Sequence, residues 1–64
     1  MLSAAAAAPA RADDAAVERD AYDKGMAHYH LEEYDGAIEE WERGFRAKPD
    51  PAFLYNIAQA YRLA

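Results

Sequence analysis

Between Tyr34 and Lys48 the chain reads YDGAIEEWERGFRAK, and its apolar and small residues recur at Tyr34, Ala37, Ile38, Trp41, Gly44 and Phe45. These positions form one continuous stripe at the helical period. The other side carries Glu39, Glu40, Glu42, Arg43 and Arg46, with Glu39–Arg43 and Glu42–Arg46 spaced for ion pairs four residues apart. A helix of this kind must be covered along one face. The chain has 64 residues and no cysteine, so neither a large core nor a disulfide can do the covering.

Two flanking segments supply the cover. Asp13–Leu31 opens with acids suited to a helix N-terminus and carries two adjacent stripes. Ala21, Gly25 and His28 make a narrow one; Tyr22, Met26 and Tyr29 make a bulkier one beside it. Glycine inside a helix costs about 1 kcal/mol relative to alanine, so Gly25 is expected to mark a close approach, under Trp41. Glu32-Glu33 is a short polar break, which makes the two helices antiparallel neighbours. Lys48-Pro49-Asp50-Pro51 then ends one helix and starts another, with Asp50 as N-cap and Pro51 at the first helical position. On the third helix Leu54, Ala58 and Tyr61, reinforced by Ile57, are expected to meet the Trp41 face. Tyr55, Gln59 and Arg62 form the next stripe. Helices are thus predicted over about 14–31, 34–47 and 51–64. No stop residue follows Leu63-Ala64, so the third helix reads as truncated, with parts of Ile57, Tyr61 and Leu63 facing water.

Residues 1–12, MLSAAAAAPARA, stand apart from this pattern. Ala10-Arg11-Ala12 before Asp13-Asp14 has the small-x-small form of a secretory cleavage site, although a basic n-region and a leucine-rich h-region are missing. The expectation is a signal-peptide remnant on a periplasmic or secreted protein. The alternative is a disordered alanine-rich leader on a cytoplasmic one. The net charge is −5 and the basic residues form no stripe, which argues against nucleic acid or an anionic membrane surface as partner. No apolar run approaches the roughly 20 residues of a membrane span.

The chain lacks the parts of a catalytic site. His28 and His30 lie two apart, so on a helix they point about 200° from each other and cannot chelate one ion with Glu32 and Glu33. Asp13, Asp14, Asp20 and Asp23 have neither the loop spacing nor the turn glycine of a calcium site. Ser3 is the one Ser/Thr hydroxyl, and no glycine-rich phosphate loop occurs. The expectation is no enzyme, no metal and no cofactor.

Ala21–Leu31 and Leu54–Ala64 align at an offset of 33 residues: Tyr22 meets Tyr55, Gly25 meets Ala58 and Ala27 meets Ala60. Helix–turn–helix periods in the low thirties mark helical repeat arrays. With Gly25, Tyr34, Ala37-Ile38, Trp41, Gly44 and Pro49, followed by Leu54, Ile57, Ala58 and Tyr61, the chain resembles the tetratricopeptide repeat (TPR) family from about Glu18 to Ala64. The resemblance covers one full repeat and the first helix of a second. Lys24 stands where the family has leucine, Ala21 and His28 replace large aromatics, and Glu32 replaces the turn glycine, as in an N-terminal capping repeat. The resemblance implies an all-α fold: a TPR-like antiparallel helical hairpin plus a third helix, the start of an α-solenoid. It also implies a scaffold or adaptor that holds a protein or peptide partner in a concave groove, here Tyr22, Met26, Tyr29, Tyr55, Gln59 and Arg62. The alternative is a small self-associating helical protein with a structural role, whose partner is another copy of itself.

Overall fold

The computed structural model describes residues 12–64. Three α-helices follow one another: α1 (Ala12–His30), α2 (Tyr34–Ala47) and α3 (Pro51–Leu63), with no strand among the described residues. The all-α expectation holds, and the three helices begin and end within about two residues of the predicted bounds. The leader assigned to residues 1–12 lies outside the described residues, except that Ala12 opens α1.

Each junction has a local cause. Asp13 and Asp14 occupy the first turn of α1, where carboxylates offset the positive end of the helix dipole. At the other end the Glu33 N–H donates to His28 O at 2.9 Å and the Glu32 N–H to Tyr29 O at 3.0 Å. That pair of bonds closes the helix in a Schellman motif, which needs a left-handed residue at the position Glu32 occupies. Glu32 adopts it, with φ of 62°, where glycine would do so without strain. The N-cap of α3 forms as expected: Asp50 Oδ1 accepts from the Ala52 N–H at 2.9 Å, with proline just inside the helix.

α2 lies between the other two helices, and α1 and α3 meet only lightly. α1 and α2 run antiparallel, as Gly25 beside Trp41 and Ala21 beside Gly44 require. A β-carbon on Gly25 would fall 2.6 Å from the Trp41 Cε2 and closer still to Nε1 and Cδ1. Only glycine admits the indole at this depth, and Trp41 is 1% exposed. Its Nε1–H donates to the Tyr22 carbonyl at 3.3 Å, so the buried ring leaves no polar atom unpaired. Gly44 does the same for α3, since its missing β-carbon leaves room for the Phe53 ring and for Ala21 Cβ.

The face of α3 that meets α2 differs from the one expected. Phe53 and Ala60 are buried, with Ile57 packed beside them, whereas Leu54 is 52% and Tyr61 62% exposed and Ala58 also faces water. Phe53 wins because the gap at Gly44 fits a ring, while the same turn of α3 points Leu54 about 100° away. Ion pairing also departs from expectation. Arg43 turns from Glu39 to Glu40, three residues back, and across to Asp20 of α1. Reaching α1 gives the guanidinium a second carboxylate, which a Glu39 pair alone would not. With Lys48–Glu18 at 3.8 Å, the Arg43–Asp20 contact bridges α1 and α2 in the register that the Gly25–Trp41 packing sets.

Candidate binding groove

Where α3 begins beside the first half of α1, a groove of about 350 Å3 opens between the two helices. Its lining is Ala15, Glu18, Arg19 and Tyr22 from α1, with Asp50, Ala52 and Phe53 from the start of α3. The α2–α3 turn creates it, because Pro49 and the Asp50 cap set α3 down level with the third turn of α1. Tyr22 and Phe53 meet edge to face, centroids 6.2 Å apart and planes at 64°, and together make an apolar wall. Charge surrounds that wall: Glu18, which pairs with Lys48, Arg19, which pairs with Asp23 at 3.5 Å, and the capping Asp50.

One turn on, Asp20 receives Arg43 Nη2 at 2.7 Å and Lys24 Nζ at 3.3 Å. The hydrogen bond from Arg43, then that from Lys24, holds the Asp20 carboxyl below its ordinary value of 3.8. Arg43 is raised in return, chiefly by Asp20 and then by Glu40.

The six residues expected to line a groove divide into three settings. Tyr22 lines the cavity. Met26 and Tyr29 are half-buried against the core, with the Tyr29 ring 5.6 Å from Tyr34 and 5.7 Å from Trp41. Tyr55 is 66% exposed on α3, and Arg62 Nη2 donates to Gln59 Oε1 at 2.6 Å one turn beyond it. Phe53 was not among the expected residues. The signal for it was the Phe53–Ile57–Ala60 spacing, which competes with Leu54–Ala58–Tyr61 on the same helix.

The histidines serve local structure. His28 Nδ1 lies 2.7 Å from Glu33 Oε1, and its ring covers Gly36 at the start of α2. His30 is exposed beside the Tyr29 ring. Among the described residues no group of three or more His, Asp or Glu could hold a metal ion, and no helix is long and apolar enough to cross a membrane.

Comparison with known proteins returns no match to this chain: no family model, no curated protein and no solved structure resembles it closely enough to count.

Proposed function

We propose that this chain is a TPR-like protein–protein interaction module, acting as a scaffold or adaptor that holds a segment of another protein. The observation that carries the reading is the groove between α1 and α3, with the Tyr22–Phe53 pair as its apolar wall and charges around it. Such a site favours a segment with one apolar anchor, and the net charge of −5 favours basic flanks on it. Tyr22, Met26 and Tyr29 on α1, with Tyr55, Gln59 and Arg62 on α3, extend the surface along both helices. The partner binds there as an extended or helical peptide, without catalysis or a cofactor.

A random peptide library displayed on phage and selected on the immobilised chain tests this. Selected peptides should shift the NMR signals of Arg19, Tyr22 and Phe53, and Tyr22→Ala should weaken binding about tenfold or more. Peptides that map to the Leu54–Tyr61 side, or that ignore Tyr22→Ala, would remove the groove from the account.

The second reading, a small self-associating structural protein, is supported by the apolar residues Leu54, Tyr61 and Leu63 exposed on α3. Sedimentation across a concentration series separates it from the first. Residence in the periplasm or outside the cell rests on Ala10-Arg11-Ala12 ahead of Asp13-Asp14; cytoplasmic residence is its alternative. Intact mass of exported protein should give an N-terminus at Asp13.

A further inference from the structure

The chain has one aspartate followed by glycine, Asp35-Gly36, and the pair lies in the first turn of α2. Glycine has no β-carbon, so little hinders its amide nitrogen from attacking the carboxyl group beside it. The attack joins Gly36 N to Asp35 Cγ, while the amide proton and the carboxyl hydroxyl leave together as water. The product is a cyclic imide, a succinimide, which water opens at either carbonyl. Breaking the Cγ–N bond restores aspartate. Breaking the bond between nitrogen and the main-chain carbonyl leaves isoaspartate, with the backbone routed through Cγ. Water is released and then taken up, so no oxidant, reductant or other co-reactant enters. Asn56, the one asparagine, is followed by Ile57, whose branched β-carbon crowds the same attack.

The turn between α1 and α2 decides whether that ring closes. Asp35 is exposed. The first backbone bond into α2 runs from the Ala37 N–H to Glu33 O at 3.0 Å, so the Gly36 nitrogen lies ahead of the helical ladder. Only the helical backbone at Asp35 holds that nitrogen away from Cγ. The turn is not secured by its own cap: Glu33 makes no side-chain capping bond, and Glu32 before it is left-handed, with φ of 62°. Side chains of α1 close it instead. His28 Nδ1 lies 2.7 Å from Glu33 Oε1, and the His28 ring covers Gly36, where an added β-carbon would come within 2.9 Å of it. Tyr29 meets Tyr34 edge to face, centroids 5.6 Å apart.

We propose that Asp35 is a site of spontaneous backbone isomerisation, gated by His28 and Tyr29, which hold the first turn of α2 shut. Opening of this turn alone, with Trp41 and the rest of the core in place, suffices for ring closure. Isoaspartate lengthens the main chain between Glu33 O and Ala37 N, so the bond that starts α2 does not re-form. The modification therefore outlasts the opening that allowed it. It lies outside the groove and does not depend on a peptide binding there.

The test incubates the full chain at neutral pH, folded or in urea, and follows isoaspartate at every aspartate by chromatographic peptide mapping with mass spectrometry. In urea Asp35 should convert fastest, and Gly36→Ala should suppress that conversion. Folding should slow it, but by a factor about tenfold or more below the protection of the Trp41 amide against hydrogen exchange, because the turn opens without the core. In the folded chain His28→Ala should speed conversion about two- to tenfold, the worth of one hydrogen bond. Ile57→Ala, far from the turn, should speed exchange at Trp41 and leave conversion at Asp35 unchanged. If another aspartate converts as fast in urea, Asp35 is not the site and the proposal fails. If conversion and Trp41 exchange are equally protected, or rise together in Ile57→Ala, only global unfolding exposes Asp35 and the gate is refuted. No acceleration by His28→Ala refutes it as well.

Discussion

Adding one methyl group at Gly25 tests the core directly, because two opposing effects of known size meet there. Alanine in place of glycine in a helix interior favours folding by about 1 kcal/mol. Against this, the new β-carbon would sit 2.6 Å from Trp41 Cε2, and nearer to two other indole atoms. Ordinary carbon contacts lie near 3.5–4.0 Å, and the nearest indole atom sets the shift, so the ring must retreat by roughly 1.5 Å. It has little room to do so, being 1% exposed with the Tyr29 ring 5.7 Å away on another side. Overpacking of this kind costs about 1–3 kcal/mol. The retreat also breaks the Nε1 bond to the Tyr22 carbonyl, and an unpaired buried donor costs about 1–3 kcal/mol more. The net loss is roughly 1–5 kcal/mol, from a total of about 3–9 kcal/mol for a chain of this length. Urea titrations followed by helical circular dichroism and tryptophan emission measure it. Gly36→Ala is the internal control: the three atoms nearest its β-carbon all belong to the His28 ring, the closest at 2.9 Å, and that partly exposed side chain can swing outward. That variant should match or exceed the parent in stability. A Gly25→Ala chain as stable as the parent would refute the placement of Trp41 over Gly25.

Three further outcomes are expected. Phe53→Ala should cost about 3–5 kcal/mol and Leu54→Ala less than about 1 kcal/mol, by urea titration; the reverse order would return the inward face of α3 to Leu54. Glu32→Gly should raise stability by about 0.5–1 kcal/mol, since glycine relieves a left-handed residue at some cost in unfolded-chain entropy; a lower Tm for this variant would contradict the strained turn. Asp20 has its carboxyl pKa lowered in the folded state, so its contribution is complete above the ordinary value of 3.8 and is lost as pH falls below it. The Tm difference between the parent and Asp20→Asn should therefore narrow on acidification through that range, and parallel curves would show that the Arg43 and Lys24 contacts do not form.

How far the fold was legible depended on how unambiguous each helix face was. α2 could be read because one stripe alone is apolar and Trp41 stands at its centre. The hairpin could be read because Gly25 sits where the indole needs space. On α3, apolar residues occupy most of the circumference, and Phe53–Ile57–Ala60 competes with Leu54–Ala58–Tyr61. The choice is made by Gly44 on another helix, which periodicity within α3 does not register. Arg43 is a similar case: its partner Asp20 is 23 residues away and becomes a neighbour only once the hairpin has closed. The groove was legible in Tyr22 but not in Phe53, because its wall depends on which side of α3 turns inward.

The placement of α2 between its chain neighbours bears on how fast the protein forms. Both packed interfaces join helices that are consecutive in the chain and linked by three residues, so the packed contacts close only short stretches of chain. Domains with such low contact order fold in microseconds to milliseconds, since little loop entropy is lost before contacts begin to form. Both interfaces also use the same helix, so α2 must be ordered in either partial structure, α1–α2 or α2–α3. A transition state built on α2 would give Ala37 and Trp41 high φ-values, while Ala60, near the chain end, would approach zero. Substitutions on the outer half of α3 would then change the unfolding rate while leaving the folding rate nearly untouched.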